Sequence, residues 1–249
     1  MSMVHNRNGL VAAVVTLALL ACAPVSHATL VNLGPGSFTP LATVITFDEV
    51  PLNTSNPHYS FTGLPTLGNE NVDFCGTFVG QTVSGGFPVT LVNHLPSGPL
   101  TLNYAGPATF TAPDGASPTS PILSGTPYGN GPISVLFSAP VAAVGLTGGY
   151  FDALNSTTIE AYDVNGNSLG SITNSQLGEE FYGLADASGN NVIAGISFYI
   201  TGNEPAGFGI DNLTFGAKDV LAGTPEPSAL ALAALGLVGL AAVKFGKRS

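Results

Sequence analysis

The sequence contains one short motif that could carry a catalytic nucleophile. Residues 166–170 read Gly-Asn-Ser-Leu-Gly, which fits the G-x-S-x-G pattern of serine hydrolases. That pattern needs a strand–turn–helix setting, whereas Ser168 opens the second arm of a predicted hairpin. These enzymes also place the catalytic histidine after the serine, and the last histidine of the chain is His94. The sequence therefore does not support catalysis by Ser168.

Zinc ligands and paired carboxylates are also poorly represented. His58, His94 and Cys75 are the only histidines and cysteine after residue 28, whereas a zinc site needs three or four ligands at suitable spacing. Glu179 and Glu180 are adjacent, so in a strand they point to opposite faces. They cannot by themselves form the two carboxylates that flank a sugar in a glycosidase. The sequence thus indicates no catalytic residues.

Calcium is the metal for which the sequence offers ligands, because this ion takes carboxylate, amide and carbonyl oxygens. Asp48 and Glu49 end the first predicted strand of the main domain, and Asp211 and Asn212 interrupt the last one. If those strands are neighbours, the four side chains converge. We therefore take them as candidate calcium ligands and expect no other cofactor. The alternative is that Asp211 and Asn212 bond only the backbone of their own β-bulge.

Residues 29–224 are strongly acidic. Lys218 is their only Lys or Arg, against fourteen of the chain's fifteen Asp and Glu residues (all but Glu226), so their net charge is about −13. Such a surface repels nucleic acid and anionic lipid. We expect no nucleic-acid partner. Cys75 has no second cysteine in this region, so no intramolecular disulfide is available, and a buried, unreactive thiol is expected.

The C-terminal residues have three ordered features. A proline–glutamate–proline segment (Pro225, Glu226, Pro227) comes first, an apolar segment over 228–243 follows, and a basic cluster (Lys244, Lys247, Arg248) comes last. As a helix the apolar segment spans about 24 Å, slightly less than the hydrocarbon core of a bilayer. Basic residues after an apolar segment favour a cytoplasmic C-terminus. The pattern predicts a short transmembrane helix.

This tail resembles the PEP-CTERM sorting tail of Gram-negative bacteria that make exopolysaccharide. The resemblance covers residues 225–249, about a tenth of the chain. It implies that an exosortase-type membrane protease recognises the tail, cuts near Pro225-Glu226-Pro227 and passes the protein to the cell surface or extracellular matrix. The alternative is an ordinary C-terminal membrane anchor.

The N-terminal residues predict export. Arg7 gives a short basic region, residues 10–21 are apolar, and Ser26-His27-Ala28 has the small-x-small pattern of a cleavage site. We expect residues 1–28 to be a signal peptide that is cut after Ala28. The alternative is a lipoprotein signal, in which Cys22 is acylated.

Between these signals, residues 29–224 show strands and turns without an amphipathic helix. About ten short runs alternate at period two, as Ile133, Val135 and Phe137 do. Two ranges are expected to be loops: residues 51–76, which are rich in Pro, Asn and Gly, and residues 113–132, which are rich in Gly, Pro and Ser. This pattern predicts an all-β domain, an antiparallel β-sandwich or jelly roll, followed by the one C-terminal transmembrane helix.

Two details of the last strands are predicted more closely. Asn165-Gly166 lies between two strand-like runs and predicts a hairpin with a type I′ turn. Asp163-x-Asn165-x-Asn167 also resembles the start of an EF-hand loop, but it lacks that loop's later Gly and Glu, so the hairpin is favoured. In residues 208–215 the apolar positions change face after Ile210, which predicts a β-bulge at Asp211-Asn212.

Three classes of function fit these observations. The first is a non-catalytic surface or matrix protein that associates with extracellular polysaccharide or biofilm, and it is the one we favour. The second is a calcium-dependent carbohydrate-binding module, in which exposed Tyr59, Tyr128, Tyr150 and Phe151 stack on sugars. The third is a secreted hydrolase, for which no catalytic constellation is found.

Overall fold

The computed structural model describes residues 29–114 and 121–222. The predictions for the two ends of the chain lie outside these residues: the signal peptide with its cleavage after Ala28, the alternative at Cys22, and the sorting tail with its apolar helix. Within the described residues, no helix is long and apolar enough to cross a membrane.

Fifteen strands and two short 3-10 helices (Pro35–Ser37 and Lys218–Val220) make up the described domain. In chain order the strands are β1 (Leu30–Asn32), β2 (Thr43–Ile45), β3 (His58–Leu64), β4 (Gly68–Cys75), β5 (Thr82–Val83), β6 (Leu91–Asn93), β7 (Thr109–Pro113), β8 (Pro121–Gly125), β9 (Ile133–Val141), β10 (Ala143–Phe151), β11 (Thr157–Tyr162), β12 (Ser168–Thr173), β13 (Gly178–Asp186), β14 (Ile193–Ile200) and β15 (Gly209–Gly216).

The strands form two large sheets and one small one. The seven-stranded sheet has the order β1-β13-β10-β15-β8-β7, with β2 also paired to β15, and the six-stranded sheet has the order β12-β11-β14-β9-β4-β3. Strands β5 and β6 form a separate pair. Every ladder between these strands is antiparallel. The predicted all-β antiparallel sandwich is confirmed.

The main core lies between the two large sheets. Alternate residues of β10 and β15, such as Leu146 and Phe215, face β9 and β14, which contribute Val135 and Phe198. Aromatic rings join the sheets: Tyr182 lies 5.1 Å from Phe198, centroid to centroid. Each fully buried side chain of this size stabilises the fold by about 1.5–3 kcal/mol.

A second, smaller core covers the outer face of the six-stranded sheet. Segment 78–102 packs Phe78, Leu100 and Leu102 on Tyr162 and Cys75. Cys75 is a free, buried thiol, as expected, and burial raises its pKa. The second core explains why every residue of β14 is buried.

Two ranges that were expected to be loops contain strands. Residues 51–76 include β3 and β4, in which Tyr59, Val72 and Phe74 point into the main core. Residues 113–132 include β8, which pairs with β7 from Thr109–Gly125 to Pro113–Pro121. Both predictions were wrong, because cross-strand pairing and burial of a few apolar residues outweigh the low strand propensity of Pro, Gly and Asn.

The hairpin between β11 and β12 is confirmed, but its turn differs from the predicted type I′. Gly166 has a φ of +80°, whereas Asn165 is not among the residues with positive φ. The Gly166 N–H donates to Asp163 O at 3.0 Å, and the Asp163 carboxylate accepts from the backbone N–H of Asn165 and Asn167. The Asp163 side chain therefore stabilises the turn.

Candidate functional site

The predicted neighbourhood of the two acidic segments is present. Strand β2 pairs with β15, with Ile45 opposite Leu213 and Thr43 opposite Phe215. After β2 the chain turns at Phe47, whose φ is +59° and whose ring is fully buried. This turn places Asp48 at the same groove as Asp211.

The predicted β-bulge in β15 is also confirmed. Gly145 of β10 lies opposite Thr214, but Thr147 lies opposite Asp211, so β15 has one extra residue between them. Asn212 takes the positive φ of +53° that the bulge requires. Its backbone N–H donates to Asp211 Oδ1 at 2.6 Å and its side-chain amide donates to Oδ2 at 3.0 Å. The bulge thus fixes the orientation of the Asp211 carboxylate.

The four candidate calcium ligands are only partly brought together. Asp48, Asp211 and Asn212 line one groove. The Glu49 side chain instead accepts hydrogen bonds from Thr46 N at 3.2 Å and Thr46 Oγ1 at 3.0 Å. Across the described residues, no group of three or more His, Cys, Asp or Glu is placed to hold a metal ion. The calcium site stays a prediction.

The groove lies on the outer face of the seven-stranded sheet. Two adjoining cavities of about 410 and 380 Å³ form it, and they share Asp114, Ile122, Gly149, Tyr150 and Gly209. The remaining lining residues are Thr46, Asp48, Tyr128, Gly129, Thr147, Gly148, Glu179, Ala206, Gly207, Phe208, Ile210, Asp211 and Asn212. Volumes of this size are typical of ligand sites.

Small residues help to create the groove, which lies beside a covered part of the same sheet face. A Cβ added at Gly209 would collide with Ile122, and one at Gly149 would lie 3.0 Å from Glu179 Cγ. Because glycine has no side chain at these two positions, the neighbouring side chains can pack directly against the backbone that lines the groove. The other half of the same face is covered by segments 33–42 and 217–221, which pack on Ala143 and Ala185.

Two of the four proposed stacking residues are exposed in this groove. Tyr128 is 58% exposed and Tyr150 is 46% exposed, and both line it. Tyr59 and Phe151 are buried, so their predicted role as exposed stacking faces was wrong. Both rings belong to the core: Tyr59 lies 5.9 Å from the Phe74 ring, centroid to centroid, and Phe151 packs on Tyr182 and Phe198.

Four carboxylates lie in the groove: Asp48, Asp114, Glu179 and Asp211. The Glu179 carboxylate, hydrogen-bonded to the Tyr150 hydroxyl, raises the pKa of Tyr150, and Asp114 adds to this effect. Glu180 turns to the other side and accepts from Ser175 and Gln176, as expected for adjacent residues of a strand. Sequence reasoning did not select Asp114 as a site residue, because no local spacing relates it to the groove.

Ser168 is an exposed member of a hydrogen-bond network around buried Glu160, and this network does not resemble a hydrolase site. Its Oγ donates to Glu160 Oε1 at 2.5 Å, while Glu160 Oε2 lies 2.7 Å from His94 Nδ1. The hydroxyls of Tyr162 and Tyr199 also donate to Glu160 Oε2. The carboxylate thus stands between serine and histidine, so the histidine does not contact the serine as a general base would.

A second serine lies near a histidine on the exposed hairpin of β3 and β4. Ser60 Oγ is 2.8 Å from His58 Nε2, and His58 Nδ1 is 2.6 Å from Asp73 Oδ1. Ser60, however, donates to Asn71 Oδ1 at 2.8 Å. These four side chains form a cross-strand network on the hairpin.

Comparison with known families identifies the tail. Residues 224–248 match the PEP-CTERM protein-sorting motif. The prediction from the tail is confirmed, and the motif implies an exported protein that is sorted to the cell surface by an exosortase. No curated protein matches the chain.

Several solved structures match the chain at low similarity. The enzymatically active domain of tailspike protein 4 of bacteriophage CBA120 is 19% identical over 45% of this chain and 18% of its own, with a TM-score of 0.27. A family 29 carbohydrate-binding module is 14% identical over 74% of this chain and 97% of its own, with a TM-score of 0.28. A family 11 module from Clostridium thermocellum, in complex with a mixed-linked tetrasaccharide, is 15% identical over 71% of this chain and 95% of its own, with a TM-score of 0.27. Similarity at this level carries no argument about function.

Proposed function

We propose that this is a non-catalytic cell-surface protein that binds extracellular polysaccharide in the groove of its seven-stranded sheet. The tail delivers it to the surface through an exosortase-type membrane protease. The observation that carries the proposal is the combination of exposed Tyr128 and Tyr150 with four carboxylates in one groove.

The two kinds of side chain match the two kinds of surface on a sugar. The tyrosine rings provide flat apolar faces with a polar end, which suit the C–H faces of a sugar ring. The carboxylates of Asp114, Glu179 and Asp211 accept charge-assisted hydrogen bonds from sugar hydroxyls. Large exposed aromatic side chains in a groove are typical of a binding surface.

Exposure of the carboxylates favours binding over hydrolysis. A glycosidase needs a carboxylic acid that remains protonated, and burial is what raises its pKa. Asp48 and Glu179 are exposed, and Asp114 and Asp211 are half-buried. The groove therefore provides hydrogen-bond acceptors without the buried acid that hydrolysis requires.

The position of the groove suits a protein held by its C-terminus. The last described residue, Ala222, donates its N–H to Ser37 O at 2.7 Å, on the covered half of the sheet. The groove occupies the other half of that face. The domain can thus be attached through residue 222 and still present the groove to a polymer.

A glycan array, followed by affinity electrophoresis in polysaccharide gels, tests the proposal. The full chain, purified in mild detergent, should be retarded by at least one polysaccharide and release no reducing ends from it. A double variant, Tyr128→Ala with Tyr150→Ala, should lose this retardation, whereas Tyr104→Ala should keep it, because Tyr104 is exposed but does not line the groove. Absence of binding to every glycan, or equal retardation of the double variant, would contradict the proposal.

A further inference from the structure

We propose that the groove selects polysaccharides whose sugars carry methyl groups, either as 6-deoxy sugars or as O-acetyl esters. One of its two cavities holds the methyl group, and the other holds a hydroxyl-rich neighbouring sugar. This inference rests on the proposed function, because it names the class of ligand for the same groove.

The first cavity, of about 410 Å³, is apolar where it is not shared with the second. The residues that line it alone are Tyr128, Gly129, Ala206, Gly207 and Phe208. Among these described residues Tyr128 has the one polar side chain, and its hydroxyl donates to Pro113 O at 3.4 Å. A ligand group in this part of the groove therefore meets aromatic rings, an alanine side chain and backbone.

The backbone N–H groups around the first cavity already have acceptors. Four lining residues donate their backbone N–H within the domain at distances of 2.6 to 3.3 Å: Gly129, Ala206, Gly207 and Phe208. A sugar hydroxyl placed there would lose water without gaining these donors, which costs free energy. A methyl group has no hydrogen bonds to lose, so it suits this cavity better than a hydroxyl does.

The second cavity, of about 380 Å³, offers the polar groups that the first lacks. The side chains with donors or acceptors that line this cavity alone are Thr46, Asp48, Thr147, Glu179, Asp211 and Asn212. Hydroxyl, amide and carboxylate groups together match the donors and acceptors of sugar hydroxyls. An ordinary hydroxyl-rich sugar therefore fits here, beside the methyl-bearing one.

The two tyrosines place an aromatic face at each cavity. Tyr128 lines only the first cavity, whereas Tyr150 lines both. The Tyr128 ring packs on Phe110, with 6.0 Å between ring centroids, so its position is supported before a ligand binds. An apolar pocket discriminates one small apolar group by roughly tenfold or more. Because Tyr128 is itself 58% exposed, we expect the lower end of that range.

Matched pairs of glycans test this selection. The probes are acetylated glucomannan and acetylated xylan, each with its deacetylated form, and methyl α-L-fucoside with methyl α-L-galactoside, which differ only in the hydroxyl at the methyl carbon. Affinity electrophoresis of the full chain in mild detergent should give roughly tenfold tighter binding to an acetylated polymer than to its deacetylated form. Ligand-observed NMR should show stronger saturation transfer to the methyl protons of a bound probe than to its ring protons. The polymer and fucoside arms distinguish the acetyl from the deoxy source of the methyl group.

Matched variants locate the effect in the first cavity. Tyr128→Ala removes an aromatic wall and should abolish the preference within a pair, whereas Tyr128→Phe keeps the ring and should preserve it. Thr147→Val keeps the shape of the second cavity but removes a hydroxyl, so it should weaken binding of both members of a pair equally. Tyr104→Ala should behave as the wild type, because Tyr104 is exposed but does not line the groove.

The outcomes separate this inference from the proposed function. Equal affinity within every pair, or an unchanged preference in Tyr128→Ala, would overturn the methyl selection and leave polysaccharide binding intact. Binding of other glycans on the array, with none to any member of these pairs, would do the same. Failure of all pairs together with failure of the glycan array would overturn both.

Discussion

At the scale of single residues, a few side chains and backbone angles determine the local structure around the groove. Asp211 and Asn212 shape the bulge through hydrogen bonds between these two neighbouring residues. In the β11–β12 turn, the Asp163 carboxylate accepts backbone hydrogen bonds and Gly166 adopts the positive φ that the turn needs. Such interactions are local, which is why the bulge and the hairpin could be predicted from the sequence.

Gly166 should not tolerate a β-branched residue. Its φ of +80° is strained for any L side chain, and an added Cβ would lie 3.3 Å from Pro96 Cβ. Gly166→Val should therefore lower the free energy of unfolding by at least about 1 kcal/mol, as measured by chemical denaturation. Gly85→Val is the control, because a Cβ there meets nothing within 4 Å and its φ is not positive. An equal effect of both substitutions would contradict the assigned turn.

The pKa of Tyr150 should respond to Glu179. A nearby carboxylate disfavours the negatively charged phenolate and so raises the tyrosine pKa. Glu179→Gln should lower the Tyr150 pKa toward its ordinary value, as followed by NMR titration of the ring. Glu49→Gln is the control, because Glu49 instead raises the pKa of Tyr59. If the Tyr150 pKa is the same in the wild type and in Glu179→Gln, the proposed interaction between Tyr150 and Glu179 is absent.

At the scale of strands, pairing determines which residues meet. The pairing of β2 with β15 brings Asp48 to Asp211, and the pairing of β10 with β13 brings Tyr150 to Glu179. Alternation made β9 predictable from the sequence, and the Asn165-Gly166 turn signal made β11 predictable. Strands β3, β4 and β8 were missed, because their Pro, Gly and Asn content conceals a few decisive buried residues.

The residues of the candidate site were likewise predictable only in part. Asp48 and Glu49, at the end of one predicted strand, were expected to meet Asp211 and Asn212, at the break of another; all but Glu49 line the groove. Asp114 and Glu179 join them only through sheet order, which no local pattern encodes. The burial of Tyr59 and Phe151 likewise depends on which face of a strand is covered.

The calcium hypothesis concerns the β2–β15 junction. If calcium binds there, the millimolar ion should raise the melting temperature by several degrees and a chelator should reverse the change, since a ligand of the folded state alone stabilises it. Asp211→Asn should remove the response. Asp114 is unsuitable as a control because it lies in the same groove, so Asp219→Asn takes that role. Identical melting of the wild type in calcium and in chelator would rule the site out.

At the scale of the whole molecule, the tail and the domain have separate roles. The PEP-CTERM motif over residues 224–248 is the sorting signal, and the β-sandwich contains the groove. The sorting signal could be predicted from the sequence because its three features are consecutive. The ligand of the groove could not, because the lining comes from distant parts of the chain.

Sorting through the tail has a direct chemical consequence. Cleavage near the Pro225-Glu226-Pro227 segment should leave a mature surface protein that ends between residues 224 and 227, as read by mass spectrometry of its C-terminal peptide. A chain truncated before Pro225 should be released as soluble protein instead. Recovery of Arg248 and Ser249 on mature surface protein would indicate a simple anchor.

The central claim is that polysaccharide binds in the groove of the seven-stranded sheet. Hydrogen exchange of the full chain, with and without a polysaccharide that it binds, tests this most directly. We predict slower exchange at residues 147–151 and 207–212, which line the groove, and unchanged exchange in the exposed hairpin of β3 and β4. Protection confined to the β3–β4 hairpin or to segment 78–102, with none in the groove, would contradict the account.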